Sequence, residues 1–181
     1  MRLRDMPCNP AAAGAAHVKR GPYHRMKNVL SLEHKIPPPV VGALVAAAMW
    51  GVSSHGPQLP LPAGPKLAAV VVLVAASVAF DVLGFSAFRR FRTTVNPFKP
   101  QRASSLVVGG VYSISRNPMY LGMALLLLAW AVYLSALLPF VGIVVFVLYI
   151  TRFQIQPEEL ALGSIFGVEY SAYAARVRRW L

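Results

Sequence analysis

The chain has 181 residues, of which 56% are hydrophobic and only 13% are charged. Soluble domains carry about 25% charged residues, so a water-soluble core is excluded and a single membrane-embedded unit is expected. The net charge of +12 invites a nucleic-acid reading, but the basic residues cluster between apolar stretches and no nucleic-acid motif accompanies them. Cys8 is the only cysteine, which excludes an intrachain disulfide and a thiolate metal site. His17, His24, His34 and His55 lack ligand spacing, so no protein-held metal is expected.

Residues 1–31 are polar, with Pro-, Gly- and Ala-rich patches, and read as a weakly ordered tail. Met26 offers an alternative start. The embedded domain is expected over residues 32–181. Its first apolar segment runs from about Ile36 to Val52, entered through Pro37-Pro38-Pro39, which suits a helix start. The second covers Leu67–Phe88, the third Met119–Leu138 and the fourth Phe140–Ile155. A helix of about 20 residues crosses a hydrocarbon layer of about 30 Å, so the pattern predicts an all-α integral membrane protein with four transmembrane helices. Ser135 and Pro139 mark a tight antiparallel hairpin between the last two.

Lysine and arginine give the orientation. From the N-terminus, the segments between apolar stretches carry 7, 1, 6, 0 and 4 of them. By the positive-inside rule both termini and the 89–118 loop face the cytoplasm. Beyond Pro157, Leu162, Phe166, Tyr170, Tyr173, Val177 and Trp180 recur at helical spacing beside Arg176, Arg178 and Arg179. This predicts an amphipathic tail on the cytoplasmic face, with Gly163 and Gly167 as weak points.

Two polar segments flank the predicted hairpin. One is Tyr112-Ser-Ile-Ser-Arg116-Asn117-Pro118-Met119-Tyr120-Leu-Gly122; the other is Arg152-Phe-Gln154-Ile-Gln156-Pro157-Glu158-Glu159. A hairpin brings both to the same membrane face, where they close one pocket. Tyr112 and Tyr120 offer aromatic faces that attract cations. Asn117 and Pro118 suit a helix N-cap and first position, and the free N–H groups of that turn suit a carboxylate. Glu158 and Glu159 also fit an acidic first helical turn. Arg152, at the end of an apolar helix, either snorkels to head groups or binds an anion. Asp81, the one acid inside a predicted span, pairs with an arginine or borders the pocket.

Leu106-Val107, Gly110, Tyr112, Arg116-Asn-Pro-Met-Tyr120 and Gly122, followed by Glu158-Glu159, Leu162, Phe166-Gly167, Glu169-Tyr170, Tyr173 and Val177, stand in a specific order and spacing. The pattern resembles the isoprenylcysteine carboxyl methyltransferase family, which belongs with the membrane phospholipid methyltransferases, in a bacterial-type form. It spans roughly residues 32–181. The resemblance implies methyl transfer from S-adenosylmethionine, with S-adenosylhomocysteine as product. It implies an inner-membrane enzyme whose cofactor site is lined by Ser104, Ser105, Leu106, Val107, Tyr112, Asn117, Pro118, Met119, Tyr120 and Glu158. Eukaryotic relatives have His where this chain has Asn117, and a substrate-binding arginine near Gln154. Asn117 does not titrate near neutral pH, so it is expected to bind the cofactor and not to act as a base.

Two residues are then expected at the chemistry. Arg152 orients a carboxylate acceptor, and Glu159 takes the proton if the acceptor is a thiol or amine. The acceptor is lipophilic or small, with an isoprenylcysteine-like carboxylate favoured by resemblance. A phospholipid amine, a small thiol, a nicotinamide-dependent reductase on a related scaffold and a non-catalytic lipid-binding protein are the alternatives. Membrane lipids are the expected partners.

Overall fold

The structure is a computed structural model that describes residues 36–90 and 106–181. They belong to a single unit, Leu32–Leu181. The 1–31 tail, Ser104 and Ser105 lie outside the described residues. The described part is all-helical, without a named strand. Helix α1 spans Pro38–Val52, α2 Ala63–Arg90, α3 Pro118–Leu134, α4 Pro139–Ile150 and α5 Gln156–Arg176. A 3-10 turn, Gly110–Ser113, precedes α3, and a π-helical segment, Thr151–Ile155, joins α4 to α5.

Prolines start three of the helices, because a missing N–H costs nothing in a first turn. Pro38 and Pro39 begin α1, Pro118 begins α3 and Pro139 begins α4. Helix α3 stops at Leu134, four residues before the expected end. Ser135 turns left-handed there, with φ 51° and ψ 39°. The 135–138 turn then bonds to the α1–α2 connection: Leu59 N–H donates to Ser135 O at 2.7 Å and Leu137 N–H to Pro57 O at 3.0 Å. Both short connections therefore sit at one end of the bundle, and the two polar segments sit at the other.

The bundle is apolar on its outside. Leu67, Val71, Val72, Val78, Val82, Leu83 and Phe85 of α2 are exposed, as are Leu44 and Trp50 of α1 and Val141, Val144, Val145 and Leu148 of α4. Small residues lie inside: Ser77 and Gly84 on α2, and Gly122, Ala124, Ala129 and Ala131 on α3. Large apolar groups outward and small ones between helices is the packing of a protein in lipid. Two helices are long and apolar enough to cross a membrane: Ala63–Ala87, and the continuous run that starts at Pro139. Helices α1 and α3 are apolar but shorter, at 15 and 17 residues.

Helix α3 packs against α1, α2 and α4. Its contact with α2 is close because Gly122 has no side chain. A Cβ there would stand 2.6 Å from Asp81 Oδ1 and 3.1 Å from Ser77 O. Asp81 thus lies against α3. Between α1 and α3, Trp130 donates its indole N–H to Ala46 O at 3.1 Å. Gly42 faces Met123, so the Gly42/Ala46 pair serves contacts within the chain. The central cluster joins Val41 and Met49 of α1, Ala124, Leu127 and Ala131 of α3, Phe146 and Ile150 of α4, and Ile155.

Gly122→Val forces a branched carbon into the Asp81–Ser77 contact. Overpacking of this kind costs about 1–3 kcal/mol. Thermal unfolding in detergent is expected to show a midpoint several degrees below wild type, whereas Gly64→Ala, where a Cβ meets nothing, is expected to leave it unchanged.

Candidate functional site

The amphipathic tail does not start afresh at Pro157; α4, the π segment and α5 form one continuous run. Proline inside a helix lacks an N–H and its ring crowds the carbonyl four residues back. The wider π turn immediately before Pro157 provides the room. Helix α5 then carries Glu158 and Glu159 in its first turn. It breaks at Gly167, with φ 49° and ψ −116°, a region open only to glycine. The expected weak point at Gly167 is met, while Gly163 stays helical.

These elements bring the two polar segments together. The Tyr120 hydroxyl on α3 donates to Glu158 Oε1 at 2.7 Å. Tyr112 is buried in the 3-10 turn, close enough to Glu158 to feel its charge. The Tyr173 hydroxyl, from beyond the Gly167 break, donates to Tyr112 O at 2.7 Å. Tyr112, Tyr120 and Glu158 thus converge, as their spacing suggested. Burial first, then Tyr173 and Glu158, pushes the Tyr112 phenol up.

Glu158 lies past the apolar stretch of its helix. Burial raises its carboxyl from the ordinary 4.5 to about 7, against a lowering by the Tyr120 hydrogen bond and with a smaller push from Glu159. A neutral acid here needs no counterion; an ionised one calls for a cation.

Asn117 occupies the α3 N-cap position without capping the helix. Its amide Nδ2 instead donates to Arg179 O at 2.9 Å. Ser115 Oγ donates to the same carbonyl at 3.4 Å, and the Arg116 N–H donates to Arg178 O at 3.0 Å. The extended segment after Val177 therefore lies along residues 115–117 as a strap. Two guanidiniums close it over one carboxylate. Arg179 grips Glu159 through Nε at 3.0 Å and a terminal nitrogen at 2.7 Å, and Arg116 meets Glu159 Oε1 at 3.2 Å. Trp180 donates its indole N–H to Thr151 Oγ1 at 3.1 Å. Sequence reasoning did not see this strap. Its signal was the arginine pair before Trp180, which reads equally as a basic anchor.

Other expected site residues make different contacts. Pro118 and Met119 pack on Gly84 of α2. Val107 is buried with Val111 and Tyr112 against Phe80 and Ala87, with the partly buried Leu106 beside it. Arg152 lies in the π segment with its guanidinium 5.6 Å from the Phe153 ring centroid. Glu159, expected from sequence to take a proton from a thiol or amine acceptor, has both oxygens engaged by arginines and clasps the strap to the α3 end. Gln154 is fully buried and donates through Nε2 to Ile36 O at 2.9 Å. Among the described residues no group of His, Cys, Asp or Glu is suited to hold a metal.

Residues 65–169, more than half of the chain, match the family model described as "Phospholipid methyltransferase". The chain belongs to the phospholipid methyltransferase family. Isoprenylcysteine carboxyl methyltransferase-like membrane enzymes fall in the same family, so the resemblance read from the motifs holds. The matched residues include Tyr112, Tyr120 and Glu158 but end before the strap. An uncharacterized protein of Haemophilus influenzae (strain ATCC 51907 / DSM 11121 / KW20 / Rd) is 49% identical over 63 residues, covering 35% of this chain and all of that relative. No solved structure matches. Family membership implies a methyltransferase, and the apolar helices associate it with a membrane.

Two outcomes follow for this member of the family. Glu159→Ala removes the partner of two guanidiniums, and charged hydrogen bonds of this kind contribute roughly 2 kcal/mol. Its unfolding midpoint is expected to fall, and by more than that of Glu169→Ala, an exposed carboxylate in the same helix. The raised Glu158 carboxyl stabilises the fold most below about pH 4.5, and that contribution is lost as pH rises through about 7. Glu158→Gln is expected to flatten this part of the decline when midpoints are compared from about pH 5 to 8.

Proposed function

We propose that the chain transfers a methyl group from S-adenosylmethionine to a lipophilic or small acceptor at the cytoplasmic face of a bacterial inner membrane. The observation that carries this reading is the Tyr120–Glu158 hydrogen bond. It joins residues 38 apart at the same end of the bundle, beside Tyr112. Family membership supplies the reaction class.

The residues present fit the cofactor. Glu158 offers a carboxylate for its cationic centres, and Tyr112 and Tyr120 offer aromatic faces that attract cations. The first-turn N–H groups of α3 lack a side-chain cap because Asn117 turns to Arg179, which suits the cofactor's carboxylate. Arg116 Nε is a buried donor without a partner among the described residues and suits the same end. When bound, S-adenosylmethionine supplies an activated methyl on a sulfonium. The protein's share is then alignment and a dry site. The strap, Tyr173 and Trp180 exclude water from the cytoplasmic side. Arg152 serves an anionic part of the acceptor at the head-group level. A proton released by an acceptor goes to Glu158, since Glu159 is engaged by two arginines.

In this reading all four apolar helices span the bilayer. The pairing of the α1–α2 and α3–α4 connections at one end supports it, as does the alternating count of basic residues, which puts the other end and both termini in the cytoplasm.

Calorimetric titration of the detergent-purified protein with S-adenosylmethionine tests the cofactor. Saturable binding is expected, weakened at least about tenfold by Glu158→Ala and less by Tyr120→Phe, in line with the loss of a charged and a neutral partner. Affinity is expected to rise with pH through about 7 as Glu158 ionises, and to lose that rise in Glu158→Gln. Absence of binding by folded protein overturns the assignment.

A further inference from the structure

The strap leaves α5 at Val177, where the backbone turns extended with φ −116° and ψ 131°. It then crosses from one polar segment to the other. On the α3 side its carbonyls accept from the Arg116 N–H and the Asn117 amide. On the α4 side Trp180 donates to Thr151 Oγ1 at 3.1 Å. Ser115 is fully buried, with its Oγ against Arg179 O. The Tyr120–Glu158 hydrogen bond joins the same two segments, and Tyr120 and Trp180 pack on one core cluster. The sides of the bundle are apolar, and its other end is tied by the bonds between the 53–62 and 135–138 connections. A polar molecule therefore approaches Glu158 from the end that the strap crosses.

The strap is held in a way that allows release. It is extended chain outside any helix, and its hold rests on Arg178, Arg179 and Trp180. Its strongest tie is the two-bond grip of Arg179 on Glu159. The Arg179 side chain is 36% exposed and that of Glu159 18%, so dissolved salt screens the pair. Without that pair, neutral hydrogen bonds and one indole remain, and a segment held so opens locally without global unfolding. Glu159 keeps Arg116 as a partner when the strap leaves, so the open state strands no carboxylate.

We propose that the strap is a gate for the polar cofactor, with Glu159 acting through Arg179 as its latch and Val177 as its hinge. This rests on the reading of Glu158 and Tyr120 as the cofactor site. The gate sets how fast the cofactor enters and leaves, and changes its affinity far less. The family match ends at residue 169, so the hinge and the latch arginine lie beyond the matched residues.

The test first reads opening without cofactor. Cys8 is the only cysteine, so Cys8→Ser combined with Ser115→Cys places a single thiol beneath the strap. Its modification by a charged, water-soluble thiol reagent is followed in the detergent-solubilised full chain. Slow labelling is expected, at least about tenfold faster after Glu159→Gln or Arg179→Gln, the factor set by one charged hydrogen bond. It is also expected to be faster at about 1 M salt, where charges are screened within about 3 Å. In place of Ser115→Cys, Ala136→Cys puts the thiol at a fully buried site at the other end of the bundle. Its labelling is expected to stay unchanged by the latch variants, which separates local opening from unfolding. If Glu159→Gln fails to fold, Arg179→Gln tests the same latch with Glu159 still paired to Arg116. Rapid mixing with S-adenosylmethionine is then expected to show association and dissociation both faster in the latch variants, with Kd changed far less. Labelling that neither variant accelerates overturns the latch. Accelerated labelling with unchanged cofactor rates overturns the gate and leaves the cofactor assignment standing. Labelling that responds in a protein that binds no cofactor removes the gate together with the reading it rests on.

Discussion

Pro157 has no amide hydrogen and would collide with the carbonyl four residues before it in a regular helix. The chain widens to a π turn over Thr151–Ile155 and continues. That single change of winding sets where each polar group at this end of the bundle points. Gln154 faces the start of α1, Glu158 meets Tyr120, and Glu159 meets Arg116 and Arg179. In a uniform α-helix the residues before this turn would be rotated relative to those after it, and Gln154 and Glu158 would not keep their present directions together. π turns recur at functional sites for this reason.

The rest of the bundle holds that turn in place. Small residues at the α2–α3 contact bring Tyr112 and the N-terminus of α3 to a fixed depth, with Gly122 against Asp81 and Gly84 against Met119. In lipid there is no hydrophobic gain from joining two apolar helices, so close backbone approach and a few polar contacts must hold them. The Trp130 bond to Ala46 O is one such contact. The site is thus anchored on helices on its membrane side and on a strap of extended chain on its water side.

Much of this was legible in the sequence because apolar length and proline position are local signals. The segment starts at Pro38, Pro118 and Pro139 follow from proline's missing donor, and the break at Gly167 from glycine's freedom. The convergence of Tyr112, Tyr120 and Glu158 followed from hairpin geometry. The role of Glu159 was not legible. Its partners, Arg116 and Arg179, lie 43 and 20 residues away, and nothing in spacing tells an acidic first turn from a clasp. Asn117 reads as a helix cap by type, yet its amide serves the Arg179 carbonyl, a preference decided by tertiary contact. The unbroken run from α4 into α5 was hidden too, since Pro157 is ordinarily a stop signal and only the π turn ahead of it removes the clash.

The Gly167 break also resets the electrostatics of the tail. A helix interrupted by one non-helical residue is two shorter stacks of aligned peptide dipoles, each with its own positive and negative end. The second stack begins beside Glu169 and ends at Arg176, an acid at the positive pole and a base at the negative one. It therefore carries its own electrical balance, independent of the long membrane helix before it. Tyr170 and Tyr173 ride on this short, self-complementary rod, which carries their hydroxyls to Arg116 and to the Tyr112 carbonyl.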